Sequence, residues 1–167
     1  MSLVVALLVA TASACTVPPS EEGAQQALPY AAFDGREGPF GWRALVAAGC
    51  TDSAISLLAA YSEANRDRLA PAQRRELAFH MGQALAMAGR EQEAIAPFEQ
   101  ALDSEAPPEW ATYVKATLAF LRRDGAALQE ARRSYAEVAP GSVRLRIIDG
   151  LVACPTEPYM KAAHCKR

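Results

Sequence analysis

Residues that do chemistry are scarce in this chain: two histidines, four cysteines and two tryptophans among 167 residues. His80 and His164 stand far apart, so no helix carries the paired histidines of a zinc protease. No alternating apolar and polar run reads as a strand, and no glycine-rich loop follows one, which excludes the phosphate-cradling motifs. Serines occur without the flanking glycines of a nucleophile elbow. The apolar run Leu3 to Ala10 is too short to span a bilayer, for which about 20 apolar residues are needed. A formal net charge of -2 gives no general attraction to nucleic acid or to an anionic membrane. These absences predict a protein that is not an enzyme and that needs no cofactor or metal.

What is present favours helices. Hydrophobic residues make up 51% and charged residues 22%, with much alanine, and glycine and proline fall mostly between apolar stretches. The length suits one domain with a core of its own. Charge is unevenly spread: residues 15 to 114 hold 7 Lys/Arg against 14 Asp/Glu, whereas residues 115 to 167 hold 10 against 5.

Residues 1–14 read as a signal peptide, with an apolar core followed by the small residues Ala12, Ser13 and Ala14. Cys15 comes next, and the stretch resembles a bacterial lipobox, which implies lipidation at Cys15 and a membrane link through that lipid alone. Either outcome places the mature chain in an oxidising compartment, expected to be the periplasm. Residues 15–40, rich in Pro, Gly, Ala and Glu, read as a flexible tether, and residues 41–167 as the folded domain.

In that compartment Cys154 and Cys165 are expected to be joined, because Pro155 and Pro158 let the chain turn back between them. Adjacent His164 and Cys165 face apart, which disfavours both a metal site and a thiol–imidazole couple. Cys50 is expected to be a small packed hydrophobe, with pairings to Cys15, Cys154 or Cys165 open.

Ala48-Gly49 and Ala54-Ile55 recur 40 residues later as Ala88-Gly89 and Ala94-Ile95, the mark of a helical-hairpin repeat. A third unit is expected with Ala127 and Leu128 in those places and its glycine displaced to Gly125. Helices are expected over residues 41–48, 52–66, 71–88, 92–103, 109–122, 125–138, 143–154 and 157–163. Asp52 and Asp124 are expected N-caps, Pro71 suits a first helical position, and Pro97 predicts a bend.

Gly82, Gly89, Ala94, Phe98 and Ala101 fall at the spacings of the tetratricopeptide consensus, and the chain resembles tetratricopeptide-like repeats. Residues 41–167 also resemble a set of exported bacterial proteins through "GWRAL…GC", "GQALAMAG", "YVKATLAFLRRD" and a "C…PY…C" end. The fold implied is all-α, with stacked antiparallel hairpins of about seven or eight helices forming a tetratricopeptide-like α-solenoid fragment. His80 and Glu76, one turn apart, are expected to share a helix-surface hydrogen bond. The expected function is a non-enzymatic module of the cell envelope that binds a protein or peptide, through Arg122, Arg132, Arg133, Trp110 and Tyr113. An immunity or inhibitor protein against an envelope-acting toxin is the alternative, and a thiol-redox enzyme a weaker one.

Overall fold

The computed structural model describes residues 15, 17–35, 41–103 and 105–166. Among these the chain is all-helical, with no strand: α1 (Pro19–Gln26), α2 (Tyr30–Phe33), α3 (Trp42–Ala47), α4 (Thr51–Ala64), α5 (Pro71–Met87), α6 (Glu91–Gln100), α7 (Pro108–Leu121), α8 (Gly125–Val138), α9 (Val143–Ala153) and α10 (Tyr159–Ala163). From residue 41 onward each expected helix is found, with its ends displaced by no more than about three residues, the usual uncertainty of such boundaries. Residues 1–14, where the leader is expected, lie outside the described residues.

Helices α3 to α10 each pack on their neighbours in sequence, and α7 also meets α9. The connection after α3, α5 and α7 has one design. The amide of the second residue beyond the turn's start reaches back into the helix, Cys50 to the Leu45 carbonyl at 2.8 Å, Arg90 to Leu85 at 2.9 Å and Asp124 to Ala119 at 2.9 Å. Such a bond closes around a residue in the left-handed region. That residue is Gly49 at φ +79° and Gly89 at φ +77°, where glycine carries no Cβ strain.

The third turn corrects the sequence reading. Arg123, at φ 58°, takes the left-handed position there, while Gly125 merely begins α8. The register of the third unit shifts with it, so that Leu128 is buried where Ala54 and Ala94 are buried, and Ala127 is exposed. Asp124 does cap α8, accepting from the Ala127 amide at 3.0 Å. Asp52 does not cap α4; it sits in the first turn, with Cys50 in the cap position. Pro71 occupies the first turn of α5, and Gln73 accepts from the Ala70 amide at 2.9 Å. Pro97 lies inside α6, which continues past it to Gln100.

One core runs through the helices. Gly82 is needed for close packing of α5 on α6: a Cβ there would fall 2.8 Å from the Phe98 ring. Phe98 is fully buried and meets Phe79 edge-on, with ring centroids 5.4 Å apart. Each such side chain contributes roughly 1.5–3 kcal/mol through removal from water.

The tether expected over residues 15–40 is corrected at its described residues. Helix α1 packs on α4, and Phe33 at the end of α2 is fully buried, stacked on Tyr61 with centroids 3.6 Å apart. The Tyr61 hydroxyl donates to the Leu28 carbonyl at 2.9 Å, Asn65 donates to the Gln26 carbonyl at 3.0 Å, and Gly41 donates its amide to Gln25 at 2.7 Å. Cys15 and Cys50 are joined by a disulfide, with Cα atoms 5.1 Å apart. A sulfur in a disulfide has no valence left for a thioether, so this bridge and the lipid expected at Cys15 exclude each other, and the structure carries the bridge. Cys50 is thus a packed residue and a covalent one as well.

Candidate functional site

Three features bear on function: a polar cluster between α2, α3 and α5, the arginines of the later helices, and the α9–α10 pair with its disulfide.

Asp34 lies at the centre of the polar cluster. Its carboxylate accepts from Trp42 Nε1 at 2.8 Å and from the Tyr30 hydroxyl at 3.3 Å, and pairs with Arg43 at 3.4 Å. His80 Nδ1, buried, lies 2.9 Å from the same carboxylate, without the alignment of a hydrogen bond. Burial alone would raise the Asp34 carboxyl. The His80 contact, the Trp42 hydrogen bond and the Arg43 charge outweigh it and hold the group below the usual carboxylate range.

An aspartate beside an imidazole is half of a nucleophile-activating arrangement, which needs a hydroxyl or thiol at the other ring nitrogen. Here His80 Nε2 instead faces the Arg43 guanidinium at 3.2 Å. The expected Glu76–His80 pair is replaced by two longer-range ones, since Glu76 accepts from the Tyr30 hydroxyl at 2.6 Å. The cluster therefore ties α2 and α3 to α5. Among the described residues no group of three or more His, Cys, Asp or Glu is placed to hold a metal ion.

Each arginine expected to engage a partner has a carboxylate of its own chain. Arg122 pairs with Glu99, Arg132 Nε with Asp149 at 2.8 Å, and Arg133 with Glu130. The three reach different elements, and the structure does not bring them together. Trp110 and Tyr113 also turn inward. Trp110 donates to the Ala101 carbonyl at 3.2 Å and packs on Phe79, and Tyr113 is only 2% exposed. Arg144 lies 5.5 Å from both ring centres, within cation–π range.

What covers Tyr113 was not legible in the sequence. Helix α10 packs on α9 and reaches back to α5, and its Tyr159 is buried 6.2 Å from Phe120 and in polar contact with Tyr113 and Gln83. Burial pushes both phenols up, well above the usual tyrosine value. Glu91 at the start of α6 holds two distant pieces together, accepting from the Tyr159 amide at 2.6 Å and from Arg123 at 2.8 Å. Arg123 also donates to the Pro155 carbonyl at 2.6 Å. Arg123, which carries the left-handed turn, thus also holds the segment leading into α10.

Cys154 and Cys165 are bridged, with Cα atoms 6.3 Å apart, and the exposed His164 ring points its Nδ1 to the Met160 carbonyl at 2.9 Å. Between α9 and the end of α10 lies a groove of about 570 Å³, lined by Val143, Arg146, Ile147, Asp149, Ala163 and Lys166, with His164 and Cys165 at its edge. A second groove, of about 560 Å³, lies between α7 and α8 beside Leu102, Lys115 and Leu118.

No protein-family model matches the chain, and neither a curated protein nor a solved structure is significantly similar to it.

Proposed function

We propose that this chain is a non-catalytic binding module of tetratricopeptide-like helical hairpins that engages a protein or peptide in the bacterial periplasm. The observation that carries the reading is the repeated connection, the same left-handed turn after α3, α5 and α7, which presents helix pairs side by side as binding repeats do. Two disulfides fit an oxidising compartment reached by export. No described helix is long and apolar enough to cross a membrane. An anchoring lipid at Cys15 belongs to this reading only for chains in which the Cys15–Cys50 bridge has not formed. The polar cluster favours binding over catalysis because its imidazole is shared between Asp34 and Arg43.

The test is saturable capture of an envelope protein by the oxidised, immobilised chain, run beside an exchange assay with a glutathione redox buffer. The reading expects capture, with both bridges inert to exchange. A bridge that equilibrates with glutathione within minutes, together with no captured protein, would overturn it in favour of a redox enzyme.

A further inference from the structure

Among the described residues the large hydrophobic side chains left exposed all lie on α8, α9 and α10. They are Val138 at 57%, Val143 at 63% and Met160 at 37% exposure. Val143 lines the 570 Å³ groove, and Ile147, one turn along α9, forms its apolar floor. Of the three only Val143 lines the groove, and an exposed apolar side chain at a concave, charged site bears on binding in a way that a scattered one does not.

The charges at that groove are unbalanced. Most basic residues in the later helices face a carboxylate: Arg122, Arg123, Arg132, Arg133, Arg144 and Lys161 each have one within 4 Å. Arg146 donates only to the Gly141 carbonyl, at 3.0 Å, and Lys166 forms no ion pair among the described residues. The one carboxylate in the lining, Asp149, is already held by Arg132. Among the described residues the groove therefore offers two cations without an ion-pair partner and an apolar floor, its one lining carboxylate being paired with Arg132.

We infer that the groove between α9 and α10 takes an acidic peptide segment of a partner protein, its carboxylates on Arg146 and Lys166 and its apolar side chains on Val143 and Ile147. The inference rests on the binding-module reading and names the surface and chemistry of its partner. A concave site suits side chains on a peptide, whereas a flat bilayer cannot enter a groove whose floor lies below Val143. Electrostatic complementarity of this kind sets selectivity and encounter rate, and the apolar contacts hold the complex.

The test uses the oxidised chain and three fluorescent peptides of about a dozen residues, alternating leucine with glutamate, glutamine or lysine. The glutamate peptide is expected to bind at least about tenfold more tightly than the glutamine one, and the lysine peptide not at all. The double substitution Arg146→Glu with Lys166→Glu should remove that preference, and Val143→Asp should weaken every peptide. All three positions are exposed, and an unchanged thermal melt checks that folding is intact; Arg146→Gln with Lys166→Gln should give an intermediate loss. Equal affinity for the glutamate and glutamine peptides, or a preference that survives charge reversal, overturns the inference. So does a dimer that Val143→Asp dissociates, which makes a second copy the occupant. Binding to phosphatidylglycerol vesicles through Arg146 and Lys166, without peptide binding, also overturns it. An envelope protein still captured by the charge-reversed chain would sink this surface and leave the binding-module reading standing; no captured protein and no peptide bound would sink both.

Discussion

Arg123 shows how a single residue can hold a conformation its chemistry disfavours. A left-handed L-residue costs roughly 1–2 kcal/mol, and Arg123 offsets this through Glu91, the Pro155 carbonyl and the face of Phe120, 4.8 Å from its guanidinium carbon. Gly89 has no such contacts, and a Cβ added there would meet nothing within 4 Å. The penalty for Gly89→Ala is therefore torsional rather than steric. We expect a loss of about 1 kcal/mol, read as a lower urea midpoint with an unchanged slope.

Asp34 gives a pH signature of its own. Its carboxyl is held below the usual range in the folded chain, so the unfolded chain binds the proton first as pH falls. The associated stability is present above the ordinary carboxylate value of about 3.9 and is lost as pH drops through the folded value. Denaturation series from pH 6 down to pH 3 should show wild type losing stability more steeply than Asp34→Asn. Parallel curves would remove Asp34 from the account.

At the scale of elements, α2 is the informative case. A four-residue helix has no stability of its own, and its conformation depends on Phe33 packing against Tyr61. Phe33→Ala should cost about 3–5 kcal/mol, the range for truncating a buried aromatic, and expose residues 17–35 to limited proteolysis. If digestion of that stretch is unchanged, the docking is not what orders it.

The same contrast explains what the sequence could reveal. Helices from α3 onward were legible through local signatures: apolar periodicity in α4 and α8, Pro71 at the start of α5, glycine after α3 and α5, Asp124 before α8. Helix α1 does carry a start signal, Pro19 with Glu21 and Glu22 in its first turn, which the Pro- and Gly-rich composition around it masked, whereas the four-residue α2 owes its order to partners distant in sequence. The polar cluster was hidden for the same reason, since Tyr30 meets Glu76 across 46 positions and Arg43 meets His80 across 37. Arg123 was missed because arginine seldom adopts the left-handed region, and only its tertiary contacts explain it. The α9–α10 groove depends on how two helices lie together, and residue spacing does not encode that.

For the whole molecule, the two disulfides should contribute unequally. In the chain-entropy model closure of a longer loop removes more unfolded-state freedom, so the Cys15–Cys50 bridge, with a separation of 35, is worth about 4 kcal/mol. The Cys154–Cys165 bridge, with a separation of 11, is worth about 3 kcal/mol. Replacing each pair with serine and comparing melts should reproduce that order. A larger loss at the shorter loop would mean that native contacts around α10, and not chain entropy, govern the effect.

The longer bridge also changes what a protease can do to this molecule. A single peptide-bond cut anywhere between Cys15 and Cys50 leaves both fragments attached, so the nicked chain should migrate as one species until a reductant is added and as two afterwards. Damage to the segment that carries α1 and α2 would then leave both pieces joined, one molecule to any separation made without a thiol.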